Sequence, residues 1–354
     1  MKKIIEIIPE FKLAGAETMC ENLINAIDKK KYEIIAISLF SNKSPITERL
    51  EKNNIKIYYL NKKKGFDLKV FFKLCKIFKK EKPDMIHTHL YVMRYSLLPS
   101  ILFSKKAVKV HTVHNIAEKE ISKGKIIHKI AFKIFNVIPV AISEVVKESI
   151  IKTYKLNSNK VPLIYNGINL DNCIKKKNYK CSNTIIHIGR FSEQKNHVEL
   201  IDIFNDCLKQ NGKLKLLLIG DGEKKDEIHN YCKELGILKN VNFLGLQDNC
   251  YSFLNESDIF VMPSKWEGMP MTIIEAFGTG LPVVAYPVGG ISDMIINEKN
   301  GFLPNNKKDF CNKILKLLED NNLRKEIGLT NIKDSVNFSS KKMAELYCDL
   351  INSK

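Results

Sequence analysis

Short apolar runs alternate along the chain with longer stretches in which apolar side chains recur every three or four positions. Residues 3–8, 32–40, 55–60, 85–89, 108–114 and 139–143 are of the first kind. Parallel strands read this way because helices cover both faces of their sheet. Between them the spacing predicts a helix over 16–29, with Met19, Leu23, Ala26 and Ile27 on one side. A second is predicted over 68–80, with Leu68, Phe71, Phe72, Cys75 and Phe78 on one face and lysines between; Pro83 and Asp84 end it. The second half repeats the scheme, with strands expected at 184–188, 214–219, 241–244, 259–262 and 282–285 and helices at about 196–211, 223–235, 272–279 and 308–319. Strand–helix alternation predicts α/β domains built on parallel sheets.

The 354 residues are enough for two such domains, each with its own core. The polar stretch 171–183, with lysines at 175, 176 and 177, marks the boundary. The expected domains are 1–168 and 169–339, and a helix at about 340–354 is expected to pack back on the first. Ligands of open parallel sheets bind beyond the carboxyl ends of the strands. The residues to examine are those just after each strand, in a cleft expected between two facing domains.

Charge changes this picture. The net charge is +18, and residues 1–170 carry 32 Lys+Arg against 15 Asp+Glu, whereas 171–354 carry 25 against 24. A basic half suits an anionic partner such as a membrane surface, an acidic polymer or nucleic acid; compositional drift in a chain rich in Lys, Ile and Asn accounts for it equally well. Nine cysteines without a CxxC pair fit buried thiols in a reducing compartment, not a disulfide framework or zinc site. The first apolar run is too short for a signal peptide and contains Glu6, and no stretch approaches the ~18 apolar residues of a spanning helix. A cytoplasmic protein is expected.

The strongest chemical signal is SKWEGMPMTIIEAFGTGLPVVAYPVGG, residues 264–290, directly after a strand. Glu267 and Glu275 flank a tight turn, Gly268-Met269-Pro270, after which Met271 and Thr272 open a helix. A helix N-terminus offers free N–H groups and partial positive charge to a diphosphate. Glu275, one turn in, is placed for a ribose, and Glu267, in the loop, for sugar hydroxyls. Two solvated glutamates on a strand–turn–helix would look the same. Arg190 and Lys195, after the first strand of the second half, supply cations that neutralise a diphosphate without metal. Gly220-Asp221-Gly222 ends the next strand, and Gly15-Ala16-Glu17 opens a helix after the first strand of the chain. His87 and His89 face one side of a strand without a third metal ligand at a useful spacing, so packed or cleft-lining histidines are expected. His111 is read as internal and His114, at a strand end, as functional.

In order and spacing the set resembles the retaining glycosyltransferases of family 4, of the type that builds bacterial envelope polysaccharides on the GT-B fold. The matching pieces are GAE at 15–17, HTHL at 87–90, TVHN at 112–115, AISE at 141–144, IYNGIN at 164–169, GRFSEQK at 189–195, GDGE at 220–223, FLG at 243–245 and EGMPMTIIEAFGTGLPVV at 267–284. The resemblance implies a nucleotide-sugar donor, a UDP-sugar for preference, and a saccharide or lipid-linked saccharide acceptor. It implies that Arg190 and Lys195 bind the diphosphate, with Gly15 touching it from the first domain. Glu267 and the backbone of Gly268, Met269 and Pro270 would hold the donor sugar, Met271 and Thr272 the phosphate, and Glu275 the ribose. Gly220, Leu244 and Leu246 would lie near the base, and His114 near the reacting sugar. Glu267 and His114 are thus the expected catalytic residues. No cofactor and no metal are expected. No carboxylate stands out as a covalent nucleophile, and the resemblance implies same-face attack, with the leaving diphosphate taking the acceptor's proton.

Two other readings remain. A non-hydrolysing UDP-sugar epimerase shares the architecture but would need acid–base side chains at the sugar carbon. A basic nucleic-acid-binding protein fits the charge, yet no helix-turn-helix, RNP or zinc-finger signature is present and none is expected to bind. The basic half is instead expected to dock on the inner face of an anionic membrane, through the basic and apolar segments 62–82 and 123–135.

Overall fold

The structure, a computed structural model, describes residues 1–120 and 124–352. It divides into two compact units, Met1–Asn169 with Ser339–Lys354, and Leu170–Phe338. Among the described residues no helix is long and apolar enough to cross a membrane.

In the first unit β1 (Lys2–Ile8), β2 (Tyr32–Ser38), β3 (Lys56–Tyr59), β4 (Met85–His89), β5 (Val108–Val113) and β6 (Ile138–Ala141) form one sheet in the order β3-β2-β1-β4-β5-β6. Every pairing is parallel. The order reverses between β1 and β4, which makes their carboxyl ends the binding edge of such a sheet. The helix Gly15–Ala26 stops three residues before the predicted end. There Asp28 accepts the N–H groups of Lys30, through its side chain, and of Lys31 and Tyr32, through its carbonyl, turning the chain into β2. β6 likewise ends early, because the Ser143 hydroxyl accepts the Val146 N–H and caps a helix, Glu144–Tyr154, that periodicity did not reveal. Two further helices absent from the sequence reading are Pro45–Lys52, with a Ser44/Thr47 capping box, and Met93–Phe103. The last helix, Ser340–Asn352, packs against Gly15–Ala26.

The helix Leu68–Glu81 forms as expected but buries a different face. Val70, Leu74, Ile77 and Phe78 pack on the sheet, while Leu68 and Phe72 point outward.

The second unit repeats the design with β7 (Thr184–Ile188), β8 (Lys215–Ile219), β9 (Val241–Gly245), β10 (Ile259–Met262) and β11 (Val283–Ala285), all parallel, in the order β11-β10-β7-β8-β9. Here the order reverses between β7 and β10. Leu200, Ile203 and Phe204 of the helix His197–Gln210 meet Phe310 and Ile314 of Lys307–Glu319 in the core. Two Rossmann-like α/β halves, as the alternation predicts, are the GT-B composition.

Candidate functional site

The loops leaving β7 and β10 carry most of the predicted site, and they are fastened to each other. The Gln194 carbonyl accepts the Lys265 N–H, its side-chain amide donates to the Trp266 carbonyl, and the Asn196 amide donates to Pro263. Across this seam the Lys195 ammonium meets the Glu267 carboxylate at 2.7 Å, and Gln194 donates to the same carboxylate at 3.3 Å. Glu267 is buried at 4% exposure, so the pair is shielded from solvent. Gly189 leaves room for the Lys195 stem, since a Cβ there would lie 3.1 Å from its Cδ.

A third loop locks the Glu267 backbone. Gly290 donates its N–H to the Gly268 carbonyl, and Gly289, at φ +55°, approaches so closely that a Cβ would fall 1.8 Å from the Glu267 carbonyl oxygen. Gln194 and the pair Gly289–Gly290 were absent from the residues singled out by sequence, although a tandem glycine just after β11 signals a close backbone approach.

Beyond this turn Pro270 caps the helix Met271–Thr279 without any side chain covering its first N–H groups. The Thr272 hydroxyl there is buried with no hydrogen-bond partner among the described residues. Glu275, one turn on, makes no hydrogen bond or ion pair among the described residues, and burial raises its carboxyl to about 7. Its neighbours Cys173, Cys250 and Tyr251 are all raised too, by burial first and then by its negative charge. Free N–H groups, an orphaned hydroxyl and an uncompensated carboxyl make a half-built hydrogen-bond network that a polyhydroxylated anion would complete.

The other predicted residues are placed differently. Arg190 leaves the cluster: its guanidinium is exposed and pairs with Glu223 at 2.9 Å. Gly220, at φ +142°, is required by packing, because a Cβ would lie 2.1 Å from the Gly189 carbonyl oxygen. Leu244 is half-buried on the edge strand β9 and Leu246 exposed just past it. In the first unit Gly15 opens its helix with no side-chain cap and open space around its Cα.

His114 follows β5 and is half-buried, its Nε2 3.0 Å from Nδ1 of His89. His87, His89 and His111 are wholly buried. Donor atoms of Glu6, Cys20 and His89 lie within 4.8 Å of one another. Both Glu6 oxygens already accept histidine N–H groups, and burial holds the Cys20 thiol far above its usual range, so these groups are committed to hydrogen bonding and packing.

The sequence matches the family Glycosyltransferase Family 4 over residues 13–172 and Glycosyl transferases group 1 over residues 172–334. An uncharacterised glycosyltransferase of Methanocaldococcus jannaschii is 30% identical over 75% of this chain and 79% of its own. The chain belongs to the family 4 glycosyltransferases. It is thus an enzyme, a sugar transferase. Other similar proteins are the Escherichia coli UDP-Gal:alpha-D-GlcNAc-diphosphoundecaprenol alpha-1,3-galactosyltransferase, 28% identical over 81% of both chains, and the Staphylococcus aureus capsular polysaccharide glycosyltransferase CapH, 26% identical over 98% of this chain and 99% of that one. Among solved structures, Anabaena HepE in complex with UDP-glucose superposes with a TM-score of 0.85 at 20% identity, covering 100% of both chains. A Staphylococcus aureus TarM variant in complex with fondaparinux, alpha-GlcNAc-glycerol and UDP gives 0.80 at 17% identity, covering 99% and 100%.

Proposed function

We propose that this transferase moves a sugar, with retention of anomeric configuration, from a UDP-sugar to a lipid-linked saccharide in the assembly of a cell-envelope polysaccharide. The observation that carries the donor half is the fastened pair Lys195–Glu267 beside an uncapped helix N-terminus with the unpaired Glu275 one turn in. Lys195 and the N–H groups of Met271 and Thr272 neutralise the diphosphate as it leaves, without a metal ion. Glu267, held rigid from three sides, orients the sugar hydroxyls. Its engagement with Lys195 makes it a poor covalent nucleophile, which favours same-face attack with the departing diphosphate accepting the acceptor's proton. The donor and acceptor named for the E. coli and Anabaena proteins support this choice of substrates. Following the product anomer by NMR tests retention: an inverted product overturns that part of the mechanism.

Glu275 gives the donor site a pH signature. Free, its carboxyl sits at about 7 because burial favours the protonated form. Two ribose hydroxyls donating to it favour the carboxylate, so binding lowers its pKa and expels a proton. UDP affinity is therefore expected to rise with pH up to about 7 and to level off above it. The sign for stability is opposite: the folded state holds this proton between the ordinary 4.5 and about 7, so the group's contribution falls as pH rises through that window. Calorimetry in buffers of different ionisation enthalpy should record proton release at pH 6.5 that vanishes in Glu275→Gln. Equal proton release from both proteins removes Glu275 from the ribose site.

The acceptor half rests on the first unit's surface. The helices Leu68–Glu81, Met93–Phe103 and Lys125–Lys133 pack side by side. They and their flanks expose Phe66, Phe72, Leu98, Ile126 and Ile134, at 53% to 74% exposure, among exposed lysines 63, 64, 69, 129 and 133. In Lys125–Lys133 only His128, Ala131 and Phe132 are buried. Of the basic segment expected at 123–135, Lys123 lies outside the described residues. Interleaved lysines and bulky apolar side chains on a fixed surface suit the headgroup region of an anionic bilayer, where a lipid-linked acceptor is found. Lys62 is not a free surface charge: it donates to two loop carbonyls and lies over the Phe40 and Tyr95 rings. Charge reversal belongs at Lys63, Lys64 and Lys69, each worth about 1 kcal/mol near such a surface. The wild type should sediment with anionic vesicles, less so in high salt, and the triple reversal should bind ~100-fold more weakly. Equal binding to neutral and anionic vesicles, or none to either, contradicts the surface assignment.

A further inference from the structure

The first unit buries a carboxylate in the middle of its sheet. Glu6, on the central strand β1, is fully buried and lies between His87 and His89 of β4, with His87 directly in register. His87 approaches it through Nδ1, 3.1 Å from Oε1, and His89 through Nε2, 3.0 Å from Oε2. The outer nitrogens continue the network. His87 Nε2 meets the Thr112 hydroxyl at 2.7 Å, which meets the Tyr347 hydroxyl at 2.6 Å. His89 Nδ1 meets Nε2 of His114 at 3.0 Å. One arm therefore ends in the C-terminal helix and the other at the carboxyl end of β5.

Donor–acceptor bookkeeping leaves one arrangement along the second arm. An ionised carboxylate only accepts, so His89 donates through Nε2–H. A neutral His89 then carries a bare Nδ1, which accepts the Nε2–H of His114. A neutral His114 is left with an unprotonated Nδ1, and that atom has no hydrogen-bond partner among the described residues. The charge states agree. Burial alone would raise Glu6, but the charge of His87 and the hydrogen bonds of both histidines outweigh it and hold the carboxyl at about 2. Burial, and then the charge of His87, pulls His89 to about 4 against the opposing Glu6, and burial above all, with the neighbouring imidazoles of His89 and His87 opposing a further proton, places His114 well below its usual value.

We infer that Glu6 and His89 are positioning residues that fix the tautomer of His114, so that it presents Nδ1 as a hydrogen-bond acceptor to a hydroxyl of a bound sugar. The role of His114 toward a sugar rests on the transferase reading above; the tautomer does not, and it is measured without substrate. An ordinary structural polar cluster would hold the same residues but would not impose a direction on the last imidazole. Neutral imidazole is otherwise free to exchange its proton between the two nitrogens.

The experiment is two-bond ¹H–¹⁵N correlation spectroscopy on histidine-labelled protein, assigned with His114→Gln and His89→Gln. The wild type should show His114 protonated at Nε2 and bare at Nδ1. Glu6→Gln keeps the shape but brings an amide N–H₂ that donates to one of the histidines. Donation to His89 Nε2 reverses the arm and moves the His114 proton to Nδ1; donation to His87 leaves the arm as it is. Glu6→Asp, which keeps an acceptor-only carboxylate, should retain the wild-type pattern. His89→Asn removes the clamp and should give a mixture of His114 tautomers. In transfer assays His89→Asn should lower kcat/KM about tenfold, the scale of one hydrogen bond, with KM for the nucleotide sugar nearly unchanged. A wild-type His114 protonated at Nδ1, or a folded His89→Asn protein whose His114 tautomer is unchanged, overturns the inference. A correct tautomer with full activity in His89→Asn and His114→Gln would keep the network but remove the sugar contact.

Discussion

Replacing Glu267 with alanine should lower turnover by ~10²–10³-fold, the usual scale for removing one preorganised polar group from a shielded site. The expectation follows from how much structure is spent on holding this side chain. Lys195 and Gln194 grip the carboxylate, and Gly289 and Gly290 clamp its backbone and that of Gly268. On the proposed reading Glu267, in the turn before the uncapped helix, contacts the sugar and leaves the diphosphate to Lys195 and the helix N–H groups. KM for the donor should therefore change by only a few-fold while kcat falls. Glu267→Gln, which still accepts hydrogen bonds but lacks the charge, should fall between the two. Steady-state kinetics separate the cases, and an alanine variant with near wild-type kcat removes Glu267 from the reacting centre.

Lys195→Ala should be more damaging to binding. Its ammonium is the cation that the Glu267 carboxylate faces at 2.7 Å, with 15% and 6% of the two side chains exposed. Removing it withdraws positive charge from the proposed diphosphate site and leaves a buried carboxylate with only the Gln194 amide. Loss of one partner of a buried pair costs about 3–5 kcal/mol of stability, so the second unit should unfold at lower temperature. UDP affinity should fall ~10–100-fold, as for a charge-assisted hydrogen bond. Lys195→Met with Glu267→Gln should recover much of the stability and none of the activity, separating the two effects. Arg190→Ala should weaken UDP less than Lys195→Ala, because its guanidinium is exposed and turned to Glu223. If the Lys195 ammonium and the helix N–H groups neutralise the diphosphate as proposed, chelation should leave activity intact; loss with EDTA and rescue by Mn²⁺ contradicts this. A Lys195→Ala protein that binds UDP like the wild type contradicts the diphosphate assignment.

Most strands were legible in the sequence because buried parallel strands are runs rich in Ile, Val and Leu, and β1, β7 and β8 need no partner to be recognised. Helices were legible where one face is apolar, as in His197–Gln210. Met93–Phe103 was not: it carries Pro99 and exposes Leu98 and Leu102 among buried neighbours, so no stripe stands out. Asn321–Asp334 was hidden for the opposite reason, since it buries Arg324 and Asn331 as well as Ile327, the arginine donating to the carbonyls of Leu318 and Tyr179. The site followed the same rule. Glu267, Glu275 and Lys195 are legible because motif and strand end coincide. The seam through Gln194 and the approach of Gly289 depend on which loops become neighbours, and that is set by the strand order β11-β10-β7. Glu6 is visible as one charge in an apolar run, but its alignment with His87 requires β1 to lie beside β4, which no local pattern states.

The proposed activity depends on a nucleotide-sugar site in the strand-end loops of the second unit. The measurement that tests this most directly is calorimetric titration of the intact protein with UDP-sugars, UDP, GDP-sugars and GDP, repeated on Lys195→Ala and Glu275→Gln. Saturable binding of a nucleotide sugar to the wild type, weakened by both substitutions, is the predicted result. No binding of any nucleotide sugar up to millimolar concentration, or binding that neither substitution alters, would contradict it.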